Sequence, residues 1–205
     1  MLLELYNCLK NNDSDVSVCG YDFYKNNKYK FKKSGNYVLE GNYRYNGIFN
    51  FNCFNKLYKK SLFDDVCFDD KSFAEDAYVN FKILKKIYRI SYILDKPLYH
   101  YRVRCDSVSS SYGSNHFELL DVINEIIEFL KENNMDDLYK KALVYRYINL
   151  GEIIYNVDRT LYSEYYELFR SYKRDIFKVK LRLYDRLKVV LFTFFPKVYL
   201  KFRNY

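Results

Sequence analysis

Two adjacent carboxylates, Glu75 and Asp76, open an amphipathic segment in the stretch KSFAEDAYVNFKILKK, residues 71–86. Carboxylates at a helix start have two uses. The structural one is a capping box. Ser72-Phe73-Ala74-Glu75 fits S-x-x-E, in which Ser72 satisfies an orphan amide and Glu75 reaches back to the Ser72 N–H. The chemical one is general-base catalysis, because a helix N-terminus favours the ionised acid that such a base needs at neutral pH. Successive helical residues point about 100° apart, so the two groups cannot share one task. If Glu75 caps, Asp76 is left to face a cleft. Capping is the simpler account of the pair, and the residues alone leave both open.

The stretch YHYRVR, residues 99–104, is the second candidate. Strand alternation puts Tyr99, Tyr101 and Val103 on one face and His100, Arg102 and Arg104 on the other. The first face suits a core. The second presents two guanidiniums, which suit phosphate or diphosphate oxygens, or else it is a solvent-facing basic strand. Asp13-Ser14-Asp15 has D-x-D spacing that could hold a divalent metal, but it precedes a buried strand where a nucleotide-sugar metal site usually comes after one. The acidic cluster at Asp64, Asp65, Asp69 and Asp70 reads as a solvated loop. There is no G-x-G-x-x-G, P-loop, H-E-x-x-H or G-x-S-x-G, and no RNA-binding signature.

The elements that must position these residues change character along the chain. Residues 1–11 predict a short helix with Leu2, Leu5, Tyr6 and Leu9 on one face. Val16 and Val18 alternate as in a strand. Residues 25–36 are polar and turn-rich, with room for a short hairpin strand, and 41–54 are ambiguous between strand and loop. NKLYKKSLF, residues 55–63, reads as a short helix. Residues 72–88 form the best-defined helix of this half, with Phe73, Ala77, Phe81, Leu84 and Tyr88 on one stripe. ISYILDKPLYHYRVR reads as strand, turn at Asp95–Pro97, strand. From Asn115, a candidate cap with Glu118 as partner, the pattern is helical over about 115–133, 136–157 and 160–174.

The chain has 205 residues, 49% apolar and 20% aromatic, with a net charge of +8. Such a charge favours anionic partners. Five cysteines without a C-x-x-C pair argue against a disulfide framework or a zinc site and for a reducing compartment. The last thirty residues mix Lys and Arg with large apolar side chains. Their apolar run, Val189–Phe195, is too short to span a bilayer and ends at Pro196. This segment reads either as an interfacial membrane element or as a terminal helix with a solvated basic face.

In order, FNKLYKKSLF, FAEDAYVNFKILKK and ILDKPLYHYRVRCDSVSSS resemble the second half of a family 2 glycosyltransferase of bacterial cell-surface polysaccharide synthesis. The opening, LLELYNCLKNNDSDVSVCGYDFY, is similar to the segment C-terminal to that family's metal-binding aspartates, and FFPKVYLKFR looks like its membrane-proximal end. The resemblance covers residues 1–112 well and the rest loosely.

It implies an α/β, GT-A-like fold, with residues 1–112 as the acceptor-side half, 113–175 as a helical region and 176–205 as a basic amphipathic end. It also implies inverting transfer from a nucleotide-diphosphate sugar to a saccharide or lipid-linked acceptor. By resemblance, Asp76 is the base, and Glu75 supports the helix start or touches the acceptor. Arg102 and the loop around Ser107 lie near the diphosphate with His100 beside them, and Asn55 and Lys56 lie near the cleft. The family's first half, with its βαβ unit and D-x-D, has no counterpart here. The expectation is therefore a truncated transferase, cytoplasmic or peripheral on the inner membrane face. It would be weakly active alone, with a bare sheet edge, and without a cofactor site of its own. Mg or Mn is expected only in a complete member, and a separate chain could supply the missing half. The alternative is a non-catalytic basic protein that docks on an anionic membrane or a partner; nucleic acid is not expected.

Overall fold

The computed structural model describes residues 1–25, 28–31, 33–68, 74–102, 114–156 and 163–203. Two compact units are present, Met1–Ser111 and Tyr112–Tyr205.

The first unit is a mixed α/β layer structure. Helix α1 (Leu2–Asn11) buries Leu5 and Leu9 at i, i+4 spacing. Leu2 and Tyr6, expected on the same face, are exposed. Asn12 closes the helix by donating its side-chain amide to the Cys8 carbonyl. Asp13 then takes a left-handed φ of 46°, a conformation Asp tolerates better than most residues. Strand β1 (Val16–Lys25) comes next. It pairs antiparallel with β2 (Lys28–Phe31) through its second half and with β4 (Lys56–Tyr58) through its first. Its other edge runs parallel to β5 (Arg89–Arg102), whose start pairs antiparallel with β3 (Tyr37–Glu40). The sheet order is β2-β1-β5-β3, with β4 also on β1. This is a partly parallel sheet of the kind found in Rossmann-like cores. β1 is paired along both edges, and the outermost strands are only three or four residues long, which blunts the edge hazard expected from the sequence.

Between β4 and β5 runs helix α2 (Glu75–Lys86), which buries Ala77, Val79, Phe81, Ile83 and Leu84. Tyr88, placed on that stripe by periodicity, lies beyond the helix and is 61% exposed. α1 covers one sheet face, where Ser17 Oγ donates to the Leu5 carbonyl at 2.8 Å. α2 covers the other, with Ile83, Leu84 and Ile87 facing Val16 and Ile90 across a cavity of about 30 Å³. That is room for about one water.

Three readings of this half are corrected. Residues 55–63 are not one helix: Lys56–Tyr58 pair with Val16–Val18, and only Lys60–Phe63 form a 3₁₀ turn. Residues 41–47, left ambiguous, are a 3₁₀ helix. Asp95–Pro97 is not a turn but part of an irregularity within one continuous strand. Cys19 faces Ile93, the next residue Gly20 faces Pro97, and Tyr21 faces Tyr99. The extra residues bulge from β5, as an imino acid in a strand requires. Asn36 Oδ1 accepts from the Leu94 and Asp95 amides. A Cβ on Gly20 would lie 2.8 Å from the Lys96 carbonyl, so only glycine fits beside the bulge.

The second unit is helical. A 3₁₀ turn (Ser114–Phe117) leads into α3 (Glu118–Glu132). Phe117 holds the cap position without a side-chain bond, and Asn115 instead contacts His116, so the expected Asn115–Glu118 cap does not form. α3 buries six branched aliphatic residues, each worth about 1.5–3 kcal/mol relative to exposure. α4 (Asp136–Asn156) is buried on several sides, because it packs against α3, α5 (Ser163–Lys178) and α6 (Leu183–Phe194). Val144, Tyr147, Ile148, Ile176, Val189 and Phe192 form this core. Pro196 does not merely end α6. It is the first residue of α7 (Pro196–Arg203), where its missing N–H costs nothing.

Candidate active site

α2 runs antiparallel to the strand it feeds. Its last turn lies at the start of β1 and β5, so its first turn reaches toward their carboxyl halves, the side on which open α/β sheets bind ligands. Asp76 sits in that first turn, half-buried. Its Oδ2 accepts the Cys53 backbone N–H at 3.1 Å. Asn80, one turn on, donates to the Phe51 carbonyl at 2.6 Å and accepts from the Tyr58 hydroxyl at 2.8 Å. The loop of residues 49–55 is thus pinned to the helix start.

Glu75 is the first residue of α2 and Ala74 is at its cap position, without a side-chain bond. Glu75 therefore lacks the third-position geometry of a capping box; Ser72 lies outside the described residues. One Glu75 carboxylate oxygen is buried without a hydrogen-bond partner among the described residues.

Asn55 is buried and clamped to β1. Its side-chain amide donates to the Cys19 carbonyl at 2.7 Å, and its own carbonyl accepts the Cys19 N–H at 2.9 Å. It extends the β4 pairing, and its side-chain Oδ1 is buried without a hydrogen-bond partner among the described residues. Lys56 turns beneath the same loop, where its ammonium donates to the carbonyls of Asn50, at 3.2 Å, and Asn52. Burial lowers its pKa to about 8, with Cys53 and Asp76 pulling the other way. Burial raises the Cys53 thiol to about 11, and the Asp76 carboxylate adds to that. Cys53 is therefore a protonated packing residue and no nucleophile.

The ring of Phe54, next to Cys53, stacks on Tyr99 at 4.6 Å and lies 5.1 Å from Tyr101 and from Tyr21. Phe23 completes the group at 5.7 Å from Tyr101. These rings are half-buried or exposed. The Tyr99/Tyr101 face, read from the sequence as core, is an accessible aromatic floor joined to the loop that holds Asp76.

His100 and Arg102 lie on the opposite face of β5 by alternation. His100 Nδ1 is 2.8 Å from Oδ1 of Asp22, its register partner on β1. Asp22 is buried at 3% exposure and fixes the imidazole with its proton on Nδ1. Arg102 ends β5 and is exposed. Ser107 lies outside the described residues. The structure thus gathers Asp76 and Lys56 around one loop, while His100 and Arg102 lie on the other face of β5. Phe54, Tyr21 and Asp22 were missed. Asp22 had a signal, a carboxylate inside a strand that begins with two buried valines. Phe54 had none beyond its aromatic character.

The D-x-D reading of Asp13 and Asp15 fails on geometry. Asp15 Oδ2 accepts the Tyr88 and Arg89 amides at 2.8 and 3.0 Å, and Oδ1 pairs with Lys59 at 2.9 Å. Among the described residues no group of three acidic, His or Cys side chains could hold a metal ion.

No protein-family model matches the chain. Glycosyltransferase GlyA of Streptococcus pneumoniae serotype 4 (strain ATCC BAA-334 / TIGR4) is 37% identical over 92 residues, which is 44% of this chain and 13% of that protein. The crystal structure of S. aureus TarS 1–349 in complex with UDP-GlcNAc is similar with a TM-score of 0.54 and 21% identity. That match covers 78% of this chain and 54% of the other, and it bears on the fold alone. The chain therefore carries a distant glycosyltransferase-like homology on a mixed α/β fold. It spans only a fraction of the length of the relatives it matches.

Proposed function

We propose that residues 1–112 form the acceptor-side part of a GT-A-like, family 2-type glycosyltransferase that transfers a sugar from a nucleotide-diphosphate donor with inversion. The observation that carries this reading is Asp76. Its carboxylate is held by one backbone N–H at a helix N-terminus, beside an aromatic floor of Phe54, Tyr21, Tyr99 and Tyr101. Aromatic walls with a few fixed polar groups are what a ligand cleft needs, and flat rings suit the C–H faces of a saccharide. Asp76 takes the proton from the acceptor hydroxyl as its oxygen attacks the anomeric carbon. Lys56 braces the loop that orients Asp76. Glu75 supports the helix start.

The departing diphosphate calls for positive charge. Arg102, at the carboxyl edge of β5, and Ser107 are assigned to it. His100, on the same strand face as Arg102, is tied to Asp22 and is not assigned to it. The divalent metal that the family resemblance implies does not fit the described residues, so no step is routed through it. The donor-binding wall is assigned to residues other than these 205, with the reaction on the cytoplasmic side.

Asp76→Asn tests this. The amide keeps an acceptor for the Cys53 N–H, so the fold is expected to survive. Sugar transfer is measured with the chain alone and complemented by the donor half of a family 2 enzyme. Any transfer observed is expected to fall about 10²–10⁴-fold in the variant, with an unchanged circular dichroism spectrum. Transfer at the wild-type rate removes Asp76 from the chemistry.

A further inference from the structure

Helix α6 has two apolar faces, and only one is used by its own unit. Val189 and Phe192 are buried in the core with α4 and α5. On the other side Leu183, Tyr184, Leu187, Val190, Leu191 and Phe194 are all exposed, Leu183 at 75% and Phe194 at 66%. At about 100° per residue these six span an arc of about 120°. Arg186 lies about 40° beyond one border of that arc and Lys188 about 40° beyond the other. Phe195 and Val198 continue the exposed apolar surface into α7. Between residues 180 and 203 there are seven Lys or Arg and one acidic residue, Asp185.

We propose that α6 and the start of α7 dock in the plane of an anionic phospholipid surface, with the exposed stripe in the headgroup–acyl boundary and the flanking cations on lipid phosphates. An apolar arc bordered by cations on both sides is the pattern of an interfacial helix. Cationic stems snorkel along apolar surface with their charges outward. The charge identifies the occupant: a neutral protein partner would use the stripe and gain nothing from its borders. α6 has 12 residues, about 18 Å of helix, and no helix of the described residues is long and apolar enough to cross a bilayer. It therefore lies on the membrane and does not span it.

Lys188 pairs with Asp185 at 3.9 Å and Arg182 pairs with Asp137. Lys180, Arg186 and Lys197 are exposed and in none of the ion pairs of the described residues. At about a fivefold gain per cation near an anionic surface, these three predict roughly 100-fold tighter binding to anionic than to neutral vesicles at low salt.

The test uses the full 205-residue chain and extruded vesicles of phosphatidylcholine, with and without 30% phosphatidylglycerol (on the order of a natural anionic fraction). The chain has no tryptophan, so Phe194→Trp supplies a single reporter, expected to shift to shorter wavelength on anionic vesicles. Co-sedimentation of wild type is expected to show the anionic preference and to weaken as salt shortens the Debye length. Arg186→Glu with Lys197→Glu is expected to abolish the preference, and Leu187→Gln with Phe194→Gln to abolish binding; all four positions are exposed, and circular dichroism checks the fold. Equal binding to both vesicle types, or no binding by wild type, overturns the proposal. So does self-association, seen by analytical ultracentrifugation without lipid, that Leu187→Gln with Phe194→Gln removes while vesicle binding stays unchanged.

Discussion

Asp15 ties together three parts of the first unit that are far apart in sequence, and its removal has a size that the geometry sets. Its carboxylate accepts two backbone N–H groups, from Tyr88 and Arg89, and the Lys59 ammonium. Its own N–H donates to the Arg89 carbonyl at 2.9 Å. The bond set fixes the connection from α2 into β5. A hydrogen bond to a charged group contributes about 1.5–3 kcal/mol. The Lys59 pair, on a side chain 40% exposed, contributes about 0–1 kcal/mol. Because the Tyr88 amide is reached by solvent, the sum is discounted, and Asp15→Ala is expected to cost about 2–4 kcal/mol. Asp15→Asn keeps one acceptor oxygen and is expected to cost about half of that.

The pH dependence carries a sign. Burial alone raises the Asp15 pKa, but the Lys59, Tyr88 and Arg89 bonds outweigh it and leave the pKa below its ordinary 3.8. A depressed carboxyl contributes stability that is fully present above the unfolded value and is lost as pH falls through the folded one. In urea titrations the gap between wild type and Asp15→Asn should be constant from about pH 7 to 5 and shrink below about pH 4. A cost for Asp15→Ala under about 0.5 kcal/mol, or a gap that stays constant down to about pH 3, refutes the reasoning.

Lys56 also makes stability rise with pH, but in the alkaline range. With its folded pKa near 8 against an ordinary 10.5, the unfolded chain binds more protons between those values. Wild-type stability should therefore rise relative to Lys56→Met across that window, by on the order of 3 kcal/mol; a flat difference in urea midpoints refutes it. Gly151 sits where a Cβ would lie 2.4 Å from Phe192 and 2.8 Å from Phe169. Gly151→Ala should lower the thermal midpoint, because overpacking at about 1–3 kcal/mol exceeds a helix-propensity gain of about 1 kcal/mol, and Phe192→Leu should recover part of the loss. Of the free cysteines Cys8, Cys19, Cys53 and Cys67, exposed Cys67 should alkylate first and Cys53 and Cys19 last, as mass spectrometry of a timed iodoacetamide reaction would show.

Local order was legible in the residues. The Val16–Val18 alternation, the apolar stripe of α2, the helical periods after residue 115 and the helix-start position of Asp76 are all written within a few neighbours of each residue. Periodicity needs nothing else, because a helix or strand is defined by spacing along one chain. What the sequence withheld depends on partners far away. Lys56–Tyr58 are a strand only because Val16–Val18 offer a free edge. The break at Asp95–Pro97 is a bulge because β1 continues past it.

Asp22 and His100 are 78 residues apart, and Asp76 and Cys53 are 23. Tyr99 and Tyr101 were legible as one face, but not which side of the sheet that face would meet. The placement of Phe54 decided that, and it turned an expected core into a floor beside Asp76. The outer stripe of α6 is the same kind of case. Spacing shows apolar residues all round the helix, but only packing shows that Val189 and Phe192 satisfy the core and leave the other arc exposed. A chain specifies its own local repeats, whereas the face a side chain presents is settled by whichever distant segment buries the other one.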